Sequence, residues 1–256
     1  MKAGLLLAGL IGAGVAVWVV LAGAQTSRHI LLTDAVARPL GDGTIAAFVK
    51  IENRGAPDRL ISASGAAGMD VALYSPKDRA GPPVPTGTAS LAPDAAHIRI
   101  ASGTPLKDGS LVPLTLQFEK AGEVSLRVRL SDPAADPMSE VGLFGMGDIC
   151  VVGGDEPAPA IGLAIEEDAG GWNVRVLTED FTFSKDLVDL YHVPGMGHGH
   201  LYVGGIKLGR LYTPEARIGA LPKGTHEVRV TLNTNDHRAY VVDDVPVTAA
   251  AVIVVD

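Results

Sequence analysis

Between His192 and His200 the chain reads His-Val-Pro-Gly-Met-Gly-His-Gly-His, which places three of its seven histidines and one of its five methionines in nine residues. Imidazole and thioether are borderline-to-soft donors and suit copper in either oxidation state, whereas magnesium and calcium want oxygen. His198 and His200 stand two apart at the mouth of an apolar strand, so their side chains fall on one face. His192 and Met196 lie in the glycine-rich stretch before it, which can fold back over that face. His237 follows Asn233-Thr234-Asn235-Asp236, a turn closing the strand-like run His226–Leu232, and supplies a further ligand if that strand neighbours the one carrying His200. The expected metal site is therefore His192, Met196, His198, His200 and His237, with Met196 as a weak axial ligand. A glycine-rich loop can also leave its histidines merely solvated, but a His-x-His with a third histidine and a methionine so close favours ligation. Copper, as Cu(II) or Cu(I), is the expected metal. Three histidines and a water would also make a zinc site, less favoured because no Glu or Asp stands within the motif as general base. Only neutral imidazoles bind metal, and their reference pKa is about 6.5, so affinity is expected to fall as pH drops from about 6 to 5.

The elements around these residues are short apolar runs with turn punctuation. Thirty-one glycines and seventeen prolines favour strands over long helices. Ile45–Glu52, Asp58–Ile61, Val71–Tyr74, His97–Ile100, Val112–Phe118 and Val124–Leu130 read as strands of a first sandwich or barrel. Trp172–Leu177, Phe181–Phe183, His200–Val203, Lys207–Tyr212, His226–Leu232, Ala239–Val242 and Val247–Val255 read as a second, Ig-sized one, with Gly204-Gly205 as a hairpin turn. The expected class is all-β, with two β-sandwich domains at 25–132 and 161–256. A Pro/Gly/Asp-rich connector at 133–160 joins them, and an apolar segment at 1–24 precedes them. That segment has Lys2, an uncharged run from Ala3 to Ala24 and a small-residue end. It reads as a signal peptide, or as an anchor if it is retained. The single cysteine, Cys150, precludes an internal disulfide, and its default reading is an idle buried thiol. A formal charge of −8 argues against nucleic acid as partner.

Two resemblances join this reading. Val49-Lys50-Ile51-Glu52-Asn53-Arg54-Gly55, Asp58-Arg59-Leu60-Ile61 and the block from Pro105-Leu106-Lys107-Asp108-Gly109 through Val112 to Gly122 resemble the periplasmic copper chaperone family called PCuAC. The resemblance implies a cupredoxin-like β fold carrying Cu(I) on His and Met. The ligand positions depart from the family: Tyr74 replaces a histidine, Pro82-Pro83-Val84-Pro85 replaces a Met-bearing loop, and His97-Ile98-Arg99 replaces His-x-Met. A scaffolding, docking or dimerising role is expected for this half. Met69 remains the sulfur to watch beside His97. His192 to Gly205, Arg210-Leu211-Tyr212 and His226 to His237 resemble a histidine-rich domain fused to such chaperones in some bacterial proteins, which implies a copper or other metal role.

Together these readings predict an exported protein, periplasmic or tethered to the inner membrane by its N-terminal segment alone, that carries, stores or delivers copper. Its partners would be the copper ion, a cuproenzyme or another copper carrier, and a second copy in a homodimer. No catalysis is expected. The alternatives are a metalloenzyme with an open position on three histidines, and a metal-free sandwich used for adhesion or assembly.

Overall fold

The computed structural model describes residues 29–40, 42–76, 80–131 and 149–256. The N-terminal apolar segment and most of the expected connector lie outside the described residues. Among those described the fold is all-β, and no helix is long and apolar enough to cross a membrane.

Nine strands make the first half: β1 (Ile30–Pro39), β2 (Ile45–Asn53), β3 (Asp58–Gly65), β4 (Met69–Tyr74), β5 (Pro83–Val84), β6 (Gly87–Leu91), β7 (His97–Ser102), β8 (Leu111–Phe118) and β9 (Gly122–Leu130). They hydrogen-bond in the order β4-β7-β2-β1-β9-β8-β3, with β1 and β9 parallel and the other pairs antiparallel. β6 takes the far half of the β2 edge that β7 leaves open. Alternating apolar residues such as Val112, Leu114, Leu116 and Phe118 point inward, where Leu60, Ile51 and Ile98 meet them.

Eleven strands make the second half: β10 (Ile149–Val151), β11 (Ala160–Asp168), β12 (Gly171–Glu179), β13 (Thr182–Phe183), β14 (Met196–Val203), β15 (Ile206–Leu211), β16 (Glu215–Gly219), β17 (Gly224–Thr234), β18 (Ala239–Val242), β19 (Val245–Pro246) and β20 (Thr248–Val255). The sheet β15-β14-β17-β20 packs on a separate sheet β11-β12-β16, with Val174, Val176, Leu201, Val203, Val228, Val230 and Ile218 between them. Gly204 and Gly205 both have positive φ, 53° and 84°, which gives the two-residue turn that their sequence predicts. Within the stretch expected as connector, β10 adds in parallel to β18 and buries Cys150 against Tyr240 and Leu232.

The halves keep separate cores but interlock through β15. Ile206 of β15 is fully buried in the first half's apolar cluster, and Lys207 pairs with Ser90 of β6. The hairpin tip is caught as well, since Ala96 N donates to Gly205 O at 2.7 Å, and past β16 Thr86 N donates to Ala220 O at 3.0 Å. Within the second half, β14 approaches β17 so closely that a Cβ on Gly197 would stand 1.9 Å from the carbonyl oxygen of Asn233. That atom belongs to backbone and cannot rotate away. Gly197→Ala is therefore expected to destabilise the protein by about 2 kcal/mol or more. Gly199→Ala, whose Cβ would meet only side chains at 3.3 Å, should cost clearly less; denaturant unfolding of the two variants checks the order.

Candidate metal centre

β14 is buried on both faces, and this makes the site. Leu201 and Val203 enter the sandwich core. Met196, His198, His200 and Tyr202 alternate with them and project from the other face. In an isolated sandwich that face would be wet. Here the first half's turn at Ala92–Ala96 covers it, with Ala92 and Ala95 packed on Tyr202. His198 is fully buried and His200 is 6% exposed.

His237 arrives from the β17–β18 turn, held at a φ of 67° that is uncommon for a residue with a Cβ. Its ring stands edge-on to His198, with centroids 4.9 Å apart. His198 Nε2 and His200 Nε2 lie 3.0 Å apart, and one donor atom from each of the three rings falls within 4.8 Å of the others. Two nitrogens sharing a tetrahedral ion at 2.0–2.1 Å would stand about 3.3 Å apart, so little adjustment separates this cluster from a metal-binding geometry.

Behind His200 is a carboxylate from the other half of the chain. Asp94 Oδ2 accepts hydrogen bonds from His200 Nδ1 at 3.0 Å, Tyr202 Oη at 2.7 Å and Lys207 Nζ at 2.8 Å. Because Nδ1 of the neutral ring carries the proton given to Asp94, Nε2 presents its lone pair to the cluster. Burial alone would raise the pKa of Asp94, but the His200 hydrogen bond and the Lys207 charge outweigh it and hold the carboxyl far below its usual range. His237 has its own carboxylate, Asp189, bonded to Nε2. That leaves Nδ1 for a metal only if Nε2 keeps its proton. His198 Nδ1, Asn233 Oδ1 and both amide atoms of Asn235 are buried without a partner among the described residues. Asn233 is the cross-strand partner of His198. Such atoms are expensive to leave unpaired, and their concentration beside the imidazoles fits a site built for an ion with its ordered water.

Two residues expected in the site behave differently. Val193 and Met196 close a turn, with Met196 N donating to Val193 O at 3.1 Å and Gly195 at a φ of 69°. This carries His192 away from the other three histidines, so it stands instead beside Cys150 and Glu156. Strand alternation keeps Met196 on the His198 face, half-buried. In the first half, Tyr74 and His97 are cross-strand partners with ring centroids 4.7 Å apart. His97 Nδ1 donates to Ala95 O at 3.0 Å. An aromatic stack thus occupies those positions, and Met69 lies at the far end of β4, opposite Ser102. Arg99 pairs with Asp42. His226 is buried and its Nε2 meets Pro222 O at 2.7 Å.

Asp94 and Lys207 escaped the sequence reading. Asp94 is 106 residues from His200, and a Pro-Asp turn in another domain carries no signal of such a contact.

The fold and cluster define an all-β protein in which three imidazoles of the second half converge, one of them bonded to a carboxylate from the first. Residues 30–130 match the LpqE-like lipoprotein family. No curated protein matches the chain. Among solved structures, the chain is similar to a copper-bound PCuAC domain from PmoF2, with 24% identity over 41% of this chain and 94% of that one and a TM-score of 0.36. An apo PCuAC domain from PmoF1 has 24% identity over 41% and 95%, with a TM-score of 0.37. The N-terminal periplasmic domain of ScsB from Proteus mirabilis has 10% identity over 91% and 96%, with a TM-score of 0.28.

Burial, followed by the neighbouring His200, holds the His198 pKa down at about 2. Burial also lowers His200 to about 4, although the Asp94 hydrogen bond pulls the other way. The fall in metal affinity between pH 6 and 5 expected from free imidazoles would therefore move lower for His198 and His200. The metal-free protein feels the same burial as instability. Between pH 6.5 and 4 the unfolded chain takes up a proton at His200 that the folded state refuses, so stability is full above about 6.5 and declines below it. The decline is roughly 2–3 kcal/mol by pH 4.5 from His200 alone. Denaturant unfolding of the apo protein at pH 7 and 4.5 should show this fall, and His200→Gln should lessen it.

Proposed function

We propose that this is an exported copper-binding protein, which holds one copper ion on His198, His200 and His237 and passes it to a cuproenzyme or another carrier. The observation that supports the reading best is the convergence of three imidazoles, one of them oriented by a half-buried carboxylate from the other half. Three borderline nitrogen donors suit copper in both oxidation states, and Met196 on the same strand face can add a weak thioether. The first half then acts as the lid of the site and the source of Asp94, in addition to any docking or dimerising role.

The asymmetry of the cluster favours transfer over storage alone. His198 is sealed, while the His237 side chain is 21% exposed at the rim. An incoming partner ligand would meet the ion on that side and could displace His237 first. The two acids that touch the cluster are both engaged, Asp94 by His200, Tyr202 and Lys207 and Asp189 by His237, and are poorly placed to act as general base, which favours binding over hydrolysis.

The whole exported chain should bind one Cu(II) with nitrogen hyperfine splitting in its electron paramagnetic resonance spectrum. His198→Ala with His200→Ala should abolish that signal, whereas His97→Phe should leave it intact. A full-strength nitrogen signal from the double variant would overturn the assignment. Asp94→Asn keeps the shape of the side chain but weakens its grip on the Nδ1 proton. It should lower copper affinity by about 10- to 100-fold, as removal of such outer partners does elsewhere; competition with a chromophoric chelator measures it.

A further inference from the structure

The chain has a second, separate group of metal-ligating side chains, and it uses the cysteine and the histidine that the copper cluster leaves out. Cys150 lies on β10, Glu156 in the turn that follows, where its N donates to Gly153 O at 3.1 Å, and His192 in the loop before β14. His192 Nε2 stands 3.8 Å from Cys150 Sγ and 3.6 Å from Glu156 Oε2, and the three donor atoms all lie within 4.8 Å of one another. A nitrogen and a carboxylate oxygen at 3.6 Å are too far apart for a good hydrogen bond. They are close to the spacing of ligands around one ion. From zinc–sulfur, zinc–nitrogen and zinc–oxygen distances, the edges of a tetrahedron are about 3.6 Å for S···N and about 3.4 Å for N···O.

We propose that Cys150, Glu156 and His192 form a second metal site, selective for a borderline divalent cation of the zinc type and distinct from the histidine cluster. The donor set decides the class. A thiolate excludes magnesium and calcium, while a carboxylate disfavours Cu(I); thiolate, imidazole and carboxylate together are a zinc set with a fourth position open to water. Cys150 is 5% exposed, and the His192 side chain is 18% exposed, with its Nδ1 buried and unpartnered among the described residues. The cation would be largely enclosed, reached along the more open Glu156. Burial pushes the Cys150 thiol pKa up, so the metal-free site keeps its proton and releases it when the ion binds.

The position suggests a purpose. β10 is only three residues long and, among the described residues, pairs with β18 alone. An ion held by β10, its following turn and the loop before β14 would fasten the entry of the second half onto its own sheet.

The test uses the whole exported chain and Co(II) as a spectroscopic substitute for zinc. One equivalent should produce a thiolate-to-cobalt charge-transfer band in the near ultraviolet, and Zn(II) should bleach it. Cys150→Ser should lose the band and His192→Gln, which keeps the thiol, should lose most of it. His198→Ala with His200→Ala should keep it, so this proposal and the copper reading fail separately. Should Cys150→Ser fold poorly, alkylation of Cys150 in the unaltered protein replaces it: Zn(II) should slow the reaction, and His192→Gln should remove that protection. Absence of the band together with alkylation indifferent to zinc, or a band abolished by the His198/His200 double variant, would overturn the site.

Discussion

Almost everything about the candidate copper site depends on one carboxylate. Asp94 is carried by a turn of the first half, yet all three of its side-chain donors, His200, Tyr202 and Lys207, belong to the β14–β15 hairpin of the second. A half-buried carboxylate shared by three donors is costly to leave when any one of them is displaced. The arrangement therefore helps to fix the seating of the two halves. It fixes the tautomer of His200, and it holds the Tyr202 ring between the alanines of the turn and Arg229, whose guanidinium lies 4.1 Å from the ring centre. The first half thus reaches the cluster through a turn, while its own pair, Tyr74 and His97, stacks across two strands and ties back to Ala95.

Local signals in the sequence were good guides to local structure. Alternating runs such as Val112–Phe118 and Val124–Leu130 became strands of nearly the expected extent, because period-two patterning is what a half-buried strand requires. Gly204-Gly205 specified its own turn. β1, β5, β6, β10, β11, β16 and β19 are not among the runs legible as strands: β5, β10 and β19 are too brief to show a period, and the others are too rich in small and charged residues. The pairing of β5, β6, β10 and β16 is decided by neighbours distant in sequence.

The histidines show the same division. His198 and His200 could be placed on one face by counting along a strand, and His237 could be brought near them by supposing that two strands pair, as β14 and β17 do. His192 was legible as a donor but not in its direction, which depends on a four-residue turn at Val193–Met196 and on where β10 lies. Cys150 looked idle because its two companions are six and forty-two positions away. Burial was the least legible quantity of all. Nothing in the composition of β14 says that its polar face is sealed, since the covering turn comes from about a hundred residues upstream, yet that covering sets the protonation of His198 and His200.

Surface hairpins are usually where a fold tolerates change, and their tips drift in length among related chains. The Gly204-Gly205 tip cannot enjoy that freedom. Its carbonyl is the acceptor for Ala96, two residues beyond Asp94, and Ile206 next to it is embedded in the opposite core. An added residue there would displace Lys207 and shift Tyr202 from the carboxylate they share. This two-residue loop is in effect a ruler, and relatives that keep the Asp94 arrangement should be recognisable by the constant length of that hairpin even where the strands on either side have diverged.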